Sequence, residues 1–440
     1  MKREKLIVWL DGIMEFSLCT MIFVLPFAKA GVEIFFSIAM TCWFVKRCIK
    51  YRPYTPDPIP QTPYPRPRTK RVKEKISRLI KAFRPVETKL NLPIGMFVIV
   101  GFLSMVSSVS LSLSLEGFFL KLFEWIMIYF IVVEVINNRK RLNRILIVLL
   151  SSMALISLDG IFQYITGKEF IFVHHYSMLG AKIMACFGNP NNFAGWLVIM
   201  IPLALSLAYF GMNNWLNLSD KYNWVKWSMR PILWIITGLL IVCLGLTYSR
   251  GAWIAIVLGL IFLGIFKSKK LFIIIIIVFL ILPFIVRNPV KTRISSIVRV
   301  TETSVLRTKL WPEALGIIQD FPLLGCGLNT YATVAPNYKT SEKTGIYPHN
   351  SYLHMAAEAG LLGLGAFVWV TISLFKTSLA NLKKINDKFY KALLIGLLAG
   401  LFAFLIHSFV DTNIYTLQLG NLMWFVMGLI ISVQKVGVEG

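Results

Sequence analysis

Two stretches decide the fold class: ILIVLLSSMALISL (Ile145–Leu158) and LFIIIIIVFLILPFIV (Leu271–Val286), in which few side chains are polar. A helix that crosses a hydrocarbon core of roughly 30 Å needs a run of this kind. The alternation of apolar and polar residues that marks barrel strands is absent, so the runs predict helices. Apolar runs of this kind predict twelve spans, at residues 6–27, 32–48, 93–111, 118–136, 145–165, 191–211, 232–248, 251–266, 271–286, 350–374, 390–408 and 417–434.

The overall composition supports the same class of protein. Of the 440 residues, 56% are hydrophobic, and the mean hydropathy is +0.68. This is more apolar surface than one soluble core can bury. The sequence therefore predicts an all-α polytopic membrane protein with about twelve transmembrane helices, forming a single transmembrane domain over residues 1–440. The first span has no small-residue cleavage signature and is expected to be retained.

The net charge of +25 predicts orientation rather than a nucleic-acid partner. The Lys and Arg residues concentrate in alternate loops, which is the bias of cytoplasmic loops and places both chain ends inside. The cytoplasmic loop at residues 49–92 carries the proline-rich RPYTPDPIPQTPYPRPR (Arg52–Arg68), which should be extended. The basic segment after it, residues 69–84, fits either a helix on an anionic leaflet or a solvated linker.

The long loop on the opposite side, residues 287–349, lies between the ninth and tenth spans and is the first place to look for function. The cysteines offer no alternative site. All six, Cys19, Cys42, Cys48, Cys186, Cys243 and Cys326, lie mostly inside spans and form no close ligand pair. Neither a zinc site nor a disulfide framework is expected, and no cofactor is predicted.

Arg250 lies in Thr247-Tyr-Ser-Arg-Gly-Ala252, between two apolar runs that leave almost no loop. An arginine at the membrane surface in so tight a hairpin is costly unless it faces protein or an anion. Snorkelling of the side chain to lipid head groups is the alternative.

Lys182 precedes the sixth span on the same predicted side as Arg250. Taken alone it is an ordinary loop lysine, but beside Arg250 it could bind a diphosphate. Asn189-Pro-Asn-Asn192 then opens the span, with Asn189 suited to the N-cap and Pro190 to the first helical position. Asn189 and Asn191 are expected to support the cations.

His349 directly precedes the tenth span, where Asn350 or Ser351 can cap the helix. Histidine is the commonest general base near neutral pH, and nearby cations would favour its neutral form. A structural histidine is the competing interpretation. His354, five residues on, should face another way and serve packing or hydrogen bonding.

His407 and Asp411 are four residues apart at the outer end of the eleventh span. That spacing allows a hydrogen bond within one helix. We interpret the pair as support for the site, although a purely structural role explains the spacing as well.

The order of these motifs resembles the O-antigen ligase and polymerase family of bacterial membrane glycosyltransferases. The resemblance covers residues 180 to 370 and rests on Phe187-Gly-Asn-Pro-Asn-Asn192 after Lys182, Tyr248-Ser-Arg-Gly-Ala252, Arg307-x-x-Leu-Trp311, Pro322-Leu-Leu-Gly-Cys-Gly327, His349-Asn-Ser-Tyr-Leu353 and Glu358-Ala-Gly-Leu-Leu-Gly363. It implies a fold similar to other polytopic glycosyltransferases (GT-C-like), in the bacterial inner membrane, with the long loop and the active site on the periplasmic side.

The resemblance also implies a metal-independent, inverting transfer from an undecaprenyl-diphosphate-linked glycan. His349 and Arg250 would be catalytic, and Lys182, Arg250 and Arg307 would bind the diphosphate. An arginine usually stands in the family where Lys182 stands here, so the charge is kept but the bidentate fork is lost.

The acceptor is left open by the sequence. A lipid A–core acceptor would make the protein an O-antigen ligase, which we favour; a lipid-linked repeat would make it a polymerase of O-antigen or exopolysaccharide; a protein hydroxyl would make it an O-oligosaccharyltransferase. A transporter of lipid-linked glycans is the alternative from another class. It predicts charged residues near the middle of the membrane, where Asp159 is one of few candidates.

Overall fold

A computed structural model describes residues 2–51, 77, 81–168, 182–211, 223–267, 273, 302–339 and 347–439. Within these residues the chain is helical and contains no strand. The helices are α1 (Lys2–Val24), α2 (Lys29–Tyr51), α3 (Asn91–Leu103), α4 (Leu111–Gly117), α5 (Phe123–Val135), α6 (Arg139–Thr166), α7 (Pro190–Ser206), α8 (Asn223–Leu246), α9 (Arg250–Lys267), α10 (Glu302–Asp320), α11 (Tyr331–Val334), α12 (Ser351–Leu382), α13 (Lys388–His407) and α14 (Leu417–Glu439). A short π-helix, Phe118–Leu122, joins α4 to α5, and another, Leu207–Gly211, extends α7.

Six of the described helices are long and apolar enough to cross a membrane: α1, α6, α7, α12, α13 and α14. Three shorter apolar segments accompany them, Asn91–Leu103, Arg230–Leu246 and Arg250–Phe266. The predicted class, an all-helical membrane protein with several spans, is confirmed, whereas the count of twelve stays a prediction. The ninth predicted span (271–286), except residue 273, and most of the proline-rich loop lie outside the described residues.

Several predicted span boundaries were wrong, among them those of the third and tenth spans. The third span was expected to reach residue 111, but α3 ends at Leu103, and a turn separates it from α4, which begins at Leu111. The residues between are apolar or small, so hydropathy alone does not reveal the turn. The tenth span was expected to end at residue 374, but α12 continues to Leu382, because polar residues beyond the apolar stretch keep helical geometry.

Close approach of backbones brings α7, α9 and α13 together. A Cβ at Gly400 of α13 would lie 2.3 Å from the carbonyl oxygen of Ile199 in α7, and one at Gly259 of α9 would lie 3.0 Å from that of Ala399. Small residues at such crossings let membrane helices pack closely. The start of α7, the start of α9 and the end of α13 consequently meet at one end of the bundle.

The long helix α12 is broken at Gly360, whose φ of 72° and ψ of 179° are not helical. The carbonyl oxygen of Leu323 would lie 2.0 Å from a Cβ there, so only glycine fits. The segment after α10 pairs with the broken turn: the Cys326 amide donates to the Ala357 carbonyl at 2.8 Å, and the Leu361 amide to the Pro322 carbonyl at 2.8 Å. These bonds fix the described part of the long loop against α12, close to His349.

Candidate active site

A cavity of about 290 Å³ lies where α7 and α9 begin and α13 ends. Its lining residues are Lys182, Asn189, Pro190, Asn191, Thr247, Tyr248, Ser249, Arg250, Gly251, His407, Val410 and Asp411. Six of the residues singled out from the sequence therefore line one cavity, although they come from three distant parts of the chain. They comprise two cations, one carboxylate, two amides and a histidine.

Arg250 is the first residue of α9 and follows a strained turn. Tyr248 has a φ of 52°, a conformation that costs a non-glycine residue of order 1–3 kcal/mol and is concentrated at functional sites. Gly251 lets α9 approach the end of α13, since a Cβ there would lie 2.4 Å from Val410 and 3.2 Å from the His407 ring. The hairpin therefore holds Arg250 beside the turn that contains Asp411.

Lys182 is tied to the Arg250 hairpin through its neighbour, because the Ile183 amide donates to the Leu246 carbonyl at 3.1 Å. The segment is also anchored from α6. The side-chain oxygen of Gln163 accepts from the amides of Met184 at 2.8 Å and Ala185 at 2.9 Å. Ala185 has a φ of 44°. Gln163 was not found from the sequence, since it lies nineteen residues before Lys182 in an apolar helix with nothing local to mark it.

Asn189 caps α7, as its spacing predicted: its side-chain oxygen accepts from the Asn191 amide at 2.8 Å. Pro190 occupies the first helical turn. The N-termini of α7 and α9 thus both open onto the cavity. Amide groups at a helix start carry partial positive charge and favour anions, so both helix ends add to the charge of Lys182 and Arg250.

His349 joins this group through Asp411. Its Nδ1 lies 3.1 Å from Asp411 Oδ1, and its side chain is 42% exposed, whereas that of Asp411 is 10% exposed. The carboxylate favours the tautomer in which Nδ1–H donates, which leaves Nε2 able to accept a proton. His349 has a φ of 47°, so three of the four non-glycine residues with positive φ in the described chain belong to the segments of this site.

The segment that carries His349 is fastened on both sides. Asn350 caps α12, accepting from the amides of Tyr352 at 2.9 Å and Leu353 at 3.1 Å. Ser351 Oγ donates to the backbone carbonyl of Asp411 at 2.9 Å. From α10, the indole of Trp311 donates to the Pro348 carbonyl at 3.1 Å. The backbone around His349 therefore has little freedom.

Residues 235–368 match the family model described as O-antigen ligase, Wzy_C. This stretch is similar to the O-antigen ligase/polymerase family. The predicted resemblance is confirmed, and the match supports glycosyl transfer of this type in general. No curated protein matches the chain. The O-antigen ligase match contains Arg250, Arg307 and His349, whereas Lys182, His407 and Asp411 lie outside it.

One predicted contact of the candidate site was wrong. His407 and Asp411 were expected to hydrogen-bond within one helix, but α13 ends at His407 and Asp411 lies in the following turn. His407 Nδ1 instead lies 2.9 Å from Asn413 Nδ2, and Asp411 Oδ1 accepts from the Thr412 amide at 2.9 Å besides contacting His349. A four-residue spacing predicts a contact only while the helix continues. Asn413 had no sequence signal.

His354 is a packing and hydrogen-bonding residue, as expected. It is 3% exposed, its Nε2 lies 3.3 Å from Glu358 Oε1, and its ring stacks on Tyr415 with centroids 3.7 Å apart. Glu358 also accepts from the Tyr331 amide at 3.1 Å. This pair fixes the long loop to α12 and does not line the candidate cavity.

Part of the predicted site lies outside the residues that the structure describes. The backbone of Arg307 belongs to α10, but its side chain, like residues 274–300, lies outside the described part. Among the residues that are described, no group of His, Cys, Asp or Glu could hold a metal ion. All six cysteines are described and none forms a disulfide, and burial raises the pKa of the Cys326 thiol to about 11, which keeps that thiol protonated.

Proposed function

We propose that the protein transfers a glycan from undecaprenyl diphosphate to an acceptor sugar on the periplasmic face of the bacterial inner membrane, and that the reaction is O-antigen ligation to lipid A–core. The observation that carries the proposal is the cavity that joins Lys182 and Arg250 to His349 through Asp411. The O-antigen ligase match over residues 235–368 supports the reaction class.

The diphosphate of the donor binds in the cavity. Arg250 offers a planar pair of donors that matches phosphate oxygens, and Lys182 adds a point charge. The Asn189 and Asn191 amides and the two helix N-termini contribute further positive potential. Among its described lining residues the cavity has two cations and one carboxylate, an excess of positive charge that suits the diphosphate of the donor. Arg307, which the family resemblance assigns to the diphosphate, belongs to the same proposal.

His349 is the general base. Its Nε2 accepts the proton of an acceptor hydroxyl as that oxygen attacks the anomeric carbon. The bond from the anomeric carbon to the phosphate oxygen breaks, and its electron pair leaves on undecaprenyl diphosphate. The attack comes from the side opposite the leaving group and inverts the configuration. Asp411 holds the ring of His349 and stabilises the imidazolium that forms, as a carboxylate does in other histidine-based sites.

Groups of the protein supply the positive charge in this mechanism. Charge grows on the diphosphate as the glycosidic bond breaks, and preorganised donors that meet it are the largest source of rate enhancement in such reactions. Arg250 and Lys182 fill that role, so a divalent ion has no step to perform.

The test is reconstitution of the purified chain in nanodiscs with an undecaprenyl-diphosphate-linked O-antigen and lipid A–core. We expect polymer joined to the core sugar and released undecaprenyl diphosphate. Elongated lipid-linked polymer formed without lipid A–core would identify a polymerase instead, and polymer on a protein hydroxyl an oligosaccharyltransferase. Intact donor recovered with all three acceptors would refute the transfer itself.

Orientation has its own test. Cys48 is the exposed cysteine of the six, all of which are described, and it lies at the end of α2 that the charge pattern puts in the cytoplasm. A membrane-impermeant maleimide should therefore leave Cys48 unlabelled in intact spheroplasts and label it in inverted vesicles. Labelling from outside would reverse the proposed topology.

A further inference from the structure

A second cavity, of about 630 Å³, lies at the other end of the bundle. It is formed by the segment that leads into α3, the end of α12 and the end of α14. Helix α14 begins next to the candidate site and has 23 residues. At a rise of 1.5 Å per residue, the length of this helix places the two cavities about 30 Å apart. It is lined neither by His349 nor by any residue of the first cavity.

The wall of this cavity is strongly basic. Arg84, Lys89, Lys384 and Lys435 line it, and Glu87 is the single carboxylate among its described lining residues. Glu87 forms an exposed ion pair with Arg84. Three segments that are distant in sequence therefore bring cations to one opening, and an anion between them would lower their mutual repulsion.

The same opening has apolar side chains. Leu92 is 66% exposed and Val438 is 48% exposed, and both line the cavity. A soluble anion gives these side chains nothing to contact. An amphiphile contacts both parts: its phosphate meets the cations, and its hydrocarbon covers Leu92 and Val438.

The floor of the cavity is rigid and already hydrogen-bonded. Asn381 Nδ2 donates to Gln434 Oε1 at 2.9 Å, and Gln434 Nε2 donates to Ser378 Oγ at 2.8 Å, which joins α12 to α14. On the α3 side, Thr88 Oγ1 lies 2.9 Å from the Tyr129 hydroxyl. Since these groups satisfy one another, recognition falls to the cationic rim and the two exposed apolar side chains.

We propose that this cavity binds one anionic phospholipid, whose phosphate lies among Lys89, Lys384 and Lys435 and whose acyl chains run along Leu92 and Val438. The lipid bridges α3, α12 and α14 and thereby stabilises the packing of three helices. A neighbouring cavity of about 500 Å³ shares Arg84 and Lys435, so the basic surface continues beyond the head group. This site is independent of the proposed glycosyl transfer.

The test uses the purified full chain in dodecyl maltoside and native mass spectrometry with phosphatidylglycerol or phosphatidylcholine. A lysine beside an anionic head group contributes about fivefold in affinity. The double variant Lys89→Gln/Lys384→Gln should therefore bind phosphatidylglycerol about 30-fold more weakly. The matched control, Lys140→Gln/Lys388→Gln, removes the same charge from exposed lysines at the same end of the bundle that line neither cavity, and it should bind like the wild type.

Further arms separate the sources of the phosphate. Inorganic phosphate at millimolar concentration should neither displace the lipid nor raise the melting temperature, and Leu92→Asn should weaken lipid binding. Equal binding of both phospholipids by the wild type would overturn the proposal. So would an equal loss in the control double variant, which would indicate general surface charge, or displacement of the lipid by inorganic phosphate, which would indicate a soluble anion.

Discussion

Two clusters of charged side chains, one at each end of the bundle, use positive charge differently. At the end that carries the second cavity, Lys46 contacts Asp11 at 2.5 Å and Glu134 at 2.7 Å, and Arg47 also pairs with Glu134. The side chains of both cations are less than 10% exposed. Two buried cations therefore meet two carboxylates, and the charges balance.

The candidate site has a different composition. Lys182 and Arg250 line an open cavity in which Asp411, the single carboxylate among the described lining residues, also contacts His349. The backbone around it is strained at Ala185, Tyr248 and His349, whereas no non-glycine residue in the balanced cluster has positive φ. Balanced buried charge fixes helix positions, while excess positive charge around a cavity with a strained wall is suited to an anionic ligand.

The largest effect is expected at Arg250. Arg250→Ala should lower the transfer rate by about three orders of magnitude or more, because the charge that develops on the leaving diphosphate loses its bidentate partner. Arg250→Lys should recover little, since the fork geometry is lost. Transfer is measured with purified lipid-linked donor and normalised to protein that elutes as a folded species. Near-normal turnover of Arg250→Ala would remove the diphosphate role and with it the contrast between the two ends.

His349 should come next. His349→Ala should lower turnover by about two to four orders of magnitude, the usual range for loss of general-base help, with little change in donor binding. Asp411→Asn should cost less and shift the pH–rate profile, because the carboxylate orients the ring and stabilises its charged form. The measurements are donor affinity and transfer rate on one preparation. Loss of both together in His349→Ala would make the histidine a phosphate ligand or a structural residue.

His354→Ala is the matched control for that pair of assays. His354 is buried against Glu358 and Tyr415, so its loss should lower the thermal stability of the protein while transfer per folded molecule changes far less than in His349→Ala. A loss of turnover as large as that of His349→Ala, in protein with normal stability, would move the base to His354.

In the balanced cluster of Lys46, Arg47, Asp11 and Glu134 the expected effect is on stability. Glu134→Ala leaves Lys46 and Arg47 buried with too few carboxylates, and breaking a buried pair in this way costs about 3 kcal/mol or more. The free energy of unfolding, measured in detergent, should fall by that amount. Transfer per folded molecule should be unchanged, because the candidate site is about 30 Å away. Glu87→Ala, which removes an exposed pair with Arg84, should change stability by less than about 1 kcal/mol. Equal effects of the two variants would contradict the structural role of the cluster.

Local sequence patterns predicted the helices and their caps. They did not predict the contacts between distant segments that hold the candidate site in place. Apolar runs predicted the helices, and Asn189 and Asn350 predicted their own caps, because these signals act within a few residues. The anchors Gln163 and Asn413, and the break of α12 at Gly360 against Leu323, depend on contacts between distant segments. His407 and Asp411 show the opposite error. Their spacing predicted a contact within one helix, but α13 ends at His407.

Substitutions of Lys182 should have the smallest effect on the transfer rate. Lys182→Arg keeps the charge on the cavity wall and supplies the residue usual in the O-antigen ligase family, so transfer should stay within about threefold of the wild type. Lys182→Met, which keeps the length of the side chain but removes its charge, should lower turnover by at least about tenfold if the cavity acts on the diphosphate through charge. The difference should shrink as salt is added, because Lys182 is only half-buried and its field is screened. Equal turnover of the methionine and arginine variants at low salt would show that Arg250 and the helix ends suffice, and Lys182 would then be a structural residue of the loop that Gln163 holds.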